Sequence, residues 1–246
     1  MEKIVVFSPG HAVGESVWLA AKARLYRSAG YKVFLDPASQ LKSNAEAYEF
    51  LFLKNPFIAG EREPSQTDIL DGVVITWDPY ERRVYDPPIL RARDFTEDER
   101  VAKLHYVPVI RPELSEETIL DLNISSYRLP GGRDDFSKVP EYVTSQYPGA
   151  IAVVRDNYDI RPRTFELLPV AERFRQISYG SIYEYVDIVA SCRRVVCLQT
   201  GSELIACSYN REIHCLRTEE FDACPSARDR RLMFFDCEVH DIDLTR

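Results

Sequence analysis

At 246 residues, with 45% hydrophobic and 28% charged side chains, the chain is long enough to bury a substantial core and too apolar for extensive disorder. A net charge of −8 disfavours a protein that binds nucleic acid through a broadly basic surface, although arginines cluster at Arg161 and Arg163, at Arg193 and Arg194, and at Arg228, Arg230 and Arg231. Apolar runs such as Ala150 to Val154 stop far short of the roughly 20 residues that span a bilayer, and the first ten residues lack the features of a secretion signal, so the sequence predicts a cytoplasmic protein.

Ile4 to Phe7 reads as a buried parallel strand and Ser8 to Gly14 as a breaker-rich loop. A helix follows from Glu15 to Ala29, with Val17, Ala20, Ala21, Leu25 and Ala29 at helical spacing and Gly30 as its stop. Tyr31 to Leu35 is the second strand, Asn44 to Leu53 a helix, and Gly72 to Trp77 a strand. In the less regular middle, Thr96 to Glu99 is an acidic helix start, and Tyr106 to Ile110 is a strand or a connector. Ser115-Glu116-Glu117 opens a short helix behind a serine cap.

Pro130 to Asp135 gathers glycine and charge between two periodic regions and reads as a linker, dividing the chain into 1–130 and 131–246. The second half predicts a helix over Pro140 to Gln146, a strand over Ala150 to Val154, a helix over Pro162 to Arg173 and a strand over Phe174 to Ile177. From Ser181 to Leu216 the pattern is helix, strand, tight turn, helix and strand, with Ser181 and Glu184 at capping-box spacing. Alternating βαβ units in both halves predict an α/β protein with two parallel sheets. The six cysteines, Cys192, Cys197, Cys207, Cys215, Cys224 and Cys237, show no C-x-x-C spacing and read as buried thiols.

In open α/β sheets ligands bind beyond the carboxyl ends of the strands, which selects the loops after Phe7, Val154 and Leu198. Neither G-x-G-x-x-G nor a P-loop occurs. Thr200-Gly201-Ser202 is a strand-to-helix turn whose backbone N–H groups suit phosphate, and it also reads as an ordinary turn with a serine cap. Asp241-Ile242-Asp243 has the spacing of a metal-binding pair but lies in a tail-like segment.

Three stretches resemble glycosyltransferase family 9, the ADP-heptose:lipopolysaccharide heptosyltransferases. Gly14-Glu15 before the first helix is similar to the family's Gly-Asp. Val154-Arg155-Asp156 is similar to its Thr-Arg-Asp turn. Ser181-Ile182-Tyr183-Glu184 with Gln199-Thr200-Gly201-Ser202-Glu203-Leu204 is similar to its Ser-Leu-x-Glu and Asp-Thr-Gly-x-x-His. Gln199 and Leu204 depart from an acidic residue and a histidine, and Glu15 from an aspartate.

The resemblance implies a GT-B-like arrangement of two Rossmann-like domains facing a cleft, with an acceptor-binding first half and a donor-binding second half. It implies metal-independent transfer of a sugar from a nucleoside diphosphate, with no cofactor, to a hydroxyl of a saccharide, a lipid-linked glycan or a modified nucleic acid. Glu15 takes the place of the general base, and His11, in a Gly10-His11 pair like that of other GT-B enzymes, is a second candidate. Arg155 and Arg161, with Thr200, Gly201 and Ser202, are the expected diphosphate ligands; Gln199 and Glu203 are the expected sugar contacts. A catalytically silent relative that binds a nucleotide or a protein, and a transferase acting on a DNA base, remain as alternatives.

Overall fold

The computed structural model describes residues 2–10, 13–75, 82–85, 104–123, 136–156, 167–198, 201–209, 212–217 and 237–244, with the backbone alone described for 15, 72–75, 82–85 and 168. Two compact units result: described residues up to Tyr106 form one, and those from Val107 onward the other.

The first unit runs β1 (Lys3–Phe7), α1 (Val13–Ser28), β2 (Tyr31–Leu35), α2 (Ala45–Tyr48), β3 (Ile58–Glu61), β4 (Ile69–Ile75) and β5 (Arg82–Tyr85). Its sheet has the order β3-β2-β1-β4-β5; the first four strands are parallel and β5 returns antiparallel to β4. Gly30 adopts a φ of +83°, the left-handed conformation that lets the chain leave α1 and enter β2 at once. Asn44 caps α2 through its side-chain oxygen, which accepts from Ala47 N at 3.2 Å, and the chain then continues into a π turn over Glu49–Leu53. Asn55 ends this turn by donating from Nδ2 to the carbonyls of Ala20 and Leu51, tying it to α1. The predicted helix over Asn44 to Leu53 is thus one α turn followed by one π turn.

Every residue from Val17 to Ala23 is buried, Lys22 included at 1% exposure, so this stretch of α1 is enclosed on all sides, while Arg24 and Arg27 beyond it are exposed. Lys22 Nζ lies 3.4 Å from Asp71 Oδ2 on β4 and 3.2 Å from the Trp18 ring centroid, while the Tyr26 hydroxyl donates to the same Asp71 oxygen at 2.6 Å. The Asp71 carbonyl accepts from Ser8 N, and Ser39 Oγ donates to the Pro9 carbonyl, so the start of the loop after β1 is fixed to its neighbours.

The second unit contains β6 (Thr118–Asp121), α3 (Val139–Gln146), β7 (Ile151–Arg155), α4 (Leu168–Ala171), β8 (Arg175–Tyr179), α5 (Ile182–Ser191), β9 (Arg194–Leu198), α6 (Gly201–Tyr209), β10 (Glu212–Arg217) and β11 (Glu238–Asp243). Its six strands are all parallel, in the order β8-β7-β6-β9-β10-β11. This is the Rossmann order, with the change of direction between β6 and β9. On one face Leu120, Ala152, Val196, Leu198 and Leu216 form a core with Val139, Val143 and Tyr147 of α3 and its C-cap. The alternate residues of the same strands, among them Ile119, Val195, Cys197, Ile213 and Cys215, are equally buried.

Several expectations change. The helix expected from Ser115 is absent: Pro112–Leu114 form a single 3-10 turn, and Thr118 enters β6, which is paired on both sides. Tyr106 to Ile110 is a connector without regular structure. Asp241 to Asp243 is not a tail; it ends β11, which pairs with β10 along all six residues. The helix expected over Pro162 to Arg173 is described only at Leu168–Ala171, and Thr96 to Glu99, Trp77 and the glycine linker Pro130 to Asp135 lie outside the described residues.

Candidate functional site

The carboxyl ends of β6, β9 and β7 lie side by side at the centre of the second sheet. Strands spaced about 4.8 Å apart place the ends of β9 and β7 about 10 Å from one another across β6. From β9 the chain turns into α6 at Gly201-Ser202, both half-buried, so the first-turn N–H groups of α6 face this edge. Arg155, half-buried, ends β7. Asp156 N continues the edge by donating to the Tyr179 carbonyl at 2.9 Å.

Between them, at the end of β6, stands a residue that sequence reasoning missed. Asp121 is 1% exposed; one carboxylate oxygen accepts from Asn123 N at 2.9 Å and Asn123 Nδ2 at 2.7 Å, and the other accepts from the Tyr185 hydroxyl at 2.7 Å. Asn123 Nδ2 also reaches the Val153 carbonyl at 3.3 Å, linking β6 to β7. Burial, with the Asp121 charge second, pushes the Tyr185 phenol far above its ordinary pKa, against a smaller opposing effect of the Ser202 side chain. Asp121 and Tyr185 thus join β6 to α5 by a hydrogen bond, and Ser202, in the first turn of α6, is near enough to the same phenol to act on its pKa. A strand as short as Thr-Ile-Leu ended by Asp-x-Asn was the available signal, hidden by the cap-like Ser-Glu-Glu before it.

Glu203 is 4% exposed, in the first turn of α6, and its negative charge contributes to the raised pKa of the Cys197 and Cys207 thiols. For Cys197 the larger cause is its hydrogen bond with Cys215, opposite it on β10, followed by burial; for Cys207 it is a hydrogen bond with Cys237. Burial pushes Cys192 up to about 12. All three thiols stay protonated at neutral pH. Cys192, Cys197, Cys207 and Cys215 are buried and unbridged, as the sequence predicts; Cys237 is half-buried and Cys224 lies outside the described residues.

In the first unit, Gly10 is buried in the loop after β1 and Gly14 occupies the second position of α1, half-buried. Glu15 occupies the third position of that helix, and its side chain is not described. His11, Arg161, Gln199 and Thr200 lie outside the described residues. The start of α6 at Gly201 and Ser202 and the end of β7 at Arg155 thus share the carboxyl edge of the second sheet.

Both units, with β1-α1-β2 beginning one and α5-β9-α6-β10 closing the other, compare with solved structures over nearly the whole chain. A glycosyl transferase family 9 protein from Veillonella parvula superposes with a TM-score of 0.58 at 11% identity, covering 98% of this chain and 86% of that one. The chain has the fold of glycosyltransferase family 9. Weaker likenesses include E. coli ADP-heptose lps heptosyltransferase II, at 16% identity, 97% and 90% coverage and a TM-score of 0.46. Another is E. coli heptosyltransferase WaaC with ADP-2-deoxy-2-fluoro heptose, at 10% identity, 87% and 88% coverage and a TM-score of 0.46. No protein-family model and no curated protein sequence matches the chain. Among the described residues no helix is long and apolar enough to cross a membrane.

Proposed function

We propose that the protein is a glycosyltransferase that moves a sugar from a nucleoside diphosphate to an acceptor hydroxyl without a catalytic metal. The observation that carries this reading is the turn into α6 at the switch point of a Rossmann-ordered sheet, in a chain whose whole length has the family 9 fold. The first-turn N–H groups at Gly201 and Ser202 would hold the diphosphate from one side, with Arg155 and Arg161 neutralising the charge that grows as the glycosidic bond breaks. Thr200 joins the proposed diphosphate ligands, and Gln199 is the proposed contact for the sugar hydroxyls. Glu203 belongs to the same proposed set, although its burial suits holding the start of α6 better than reaching a ligand. In the first unit Glu15 or His11 would take the acceptor proton, after a strand end whose Ser8 and Pro9 are tied to Asp71 and Ser39.

The test is calorimetry and thermal shift with a panel of nucleoside diphosphates and nucleotide sugars, repeated on Thr200→Trp, chosen to block the proposed pocket. One diphosphate should stabilise the wild-type chain, by about 2.7 kcal/mol at a hundredfold excess over Kd, and leave the variant unmoved. A donor identified in this way should be consumed in the presence of EDTA, and Glu15→Gln with His11→Ala should stop transfer while binding survives. Wild-type binding with no transfer to any acceptor would favour the silent, ligand-binding reading. Failure of every diphosphate to bind would overturn the donor site itself.

A further inference from the structure

We propose that Glu212, His214 and His240 form a binding site for a divalent transition-metal ion of the zinc class, separate from the donor turn. Glu212 and His214 are two residues apart on β10, so their side chains leave the same face, and His240 is the register partner of His214 on β11. One ligand atom from each lies within 4.8 Å of the others, and His214 Nε2 is 3.3 Å from Glu212 Oε1. Nitrogen and oxygen ligands at 2.0–2.2 Å around a tetrahedral ion stand about 3.3 Å apart, so one edge of the coordination shell is already set. His240, 44% exposed on the outermost strand, has the freedom to close the remaining gap by rotating its side chain.

The surroundings match a metal-binding histidine. His214 Nδ1 is 2.7 Å from the Tyr147 hydroxyl, which fixes the ring and leaves Nε2 as the ligating nitrogen, as the outer partner of a metal-bound imidazole does. Tyr147 is buried at the end of α3, so the ring is held from the core side. Arg194 reaches Glu212 Oε1 with Nε at 2.6 Å and Nη2 at 2.5 Å, which orients the carboxylate. Two imidazoles and one carboxylate select zinc, nickel, copper or iron over magnesium or calcium, which prefer all-oxygen sites.

Solvent can fill the fourth position. Tyr147 and Arg194 also line a cavity of about 270 Å³ with Thr118 and Ala150, next to the amino ends of β6, β7 and β9. That is the end of the sheet opposite the donor turn. The ion would therefore clamp the edge strand β11 to β10 and take no part in sugar transfer.

The competing account is a hydrogen-bonded Arg194–Glu212–His214–Tyr147 network with no ion. The full chain, stripped with a chelator and dialysed, is titrated with Zn2+ by calorimetry and with Co2+ as an optical probe. Three proteins are compared: wild type, His240→Asn and Cys237→Ser. The expected result is one equivalent bound by wild type and by Cys237→Ser, at least tenfold weaker binding by His240→Asn, and a Co2+ spectrum without thiolate bands. The half-exposed position of His240 on an edge strand means His240→Asn should retain the wild-type Tm of the metal-free protein, which separates loss of a ligand from loss of folding. No stoichiometric binding, equal binding by His240→Asn, loss of binding in Cys237→Ser or thiolate bands with Co2+ would each overturn the site.

Discussion

Lys22→Met should destabilise the first unit by about 3 kcal/mol, because it removes the cation from a carboxylate that water does not reach. Lys22 and Asp71 are 1% and 0% exposed, and at 3.4 Å their attraction is about 5 kcal/mol at an effective dielectric near 20, most of it set against the cost of burying both charges. Methionine keeps the length of the aliphatic stem, so packing changes little and the loss is mainly electrostatic, the contact of Nζ with the Trp18 ring included. Deleting one member of a buried pair costs about 3–5 kcal/mol, whereas neutralising both is far cheaper. Lys22→Met with Asp71→Asn keeps an amide oxygen for the Tyr26 hydroxyl and should therefore be about 2 kcal/mol more stable than Lys22→Met alone.

Urea unfolding followed by tryptophan fluorescence suits the question, since Trp18 and Trp77, the two tryptophans of the chain, both precede Tyr106. With a slope of about 2 kcal/mol/M the single variant's midpoint should fall by about 1.5 M, and the second substitution should restore about 1 M of it. A double variant as unstable as the sum of the two singles would refute the reasoning, because it would show that the cost is packing and not unpaired charge.

Two further outcomes follow from buried polar groups. Burial, and then the nearby Lys54 charge, lower the pKa of His105 below its ordinary 6.5, and its Nδ1 has no hydrogen-bond partner among the described residues. The folded protein thus holds this ring neutral while the unfolded chain protonates it, so stability present above pH 6.5 is lost as pH falls from there through the lowered folded value. His105→Phe should flatten that part of a Tm-against-pH curve, and an unchanged slope between pH 6.5 and 5 would count against it. Tyr185→Phe removes the donor to buried Asp121 and should cost about 1–3 kcal/mol in chemical denaturation, with weaker binding of any diphosphate held at Ser202. Stability equal to wild type would show that Asp121 does not depend on the phenol.

The elements that sequence reasoning recovered are those whose signal is local. β1, α1 and β2, and the run from α5 to β10, combine apolar periodicity with a glycine stop at Gly30 or a serine cap at Ser181, whose Oγ accepts from Glu184 N at 3.2 Å. Glu184 departs in detail, accepting from Gly180 N at 2.6 Å. The elements that escaped depend on partners. β6 has four residues, of which Ile119, Leu120 and Asp121 are buried, and only pairing with β7 and β9 makes a strand of them. β11 reads Glu-Val-His-Asp-Ile-Asp, charged enough to pass for a tail, and that charge is what an edge strand carries.

Misreading β6 also hid Asp121 and Asn123, the residues that mark the switch point. Glu212, His214 and His240 were invisible as a group because only the parallel register brings residue 240 beside residue 214.

The junction of β6 with β9 also bears on how the molecule folds. Ile119 pairs with Ile151 on one side and with Val195 on the other, a separation along the chain more than twice as long. Each half of the second sheet can grow outward from its first strand through short crossovers, β6 to β7 to β8 and β9 to β10 to β11, whereas joining the halves closes the longest loop in the sheet. The hydrogen bond of Asp121 with Tyr185 spans that seam. A refolding chain would therefore regain most of its strand content before the switch point exists.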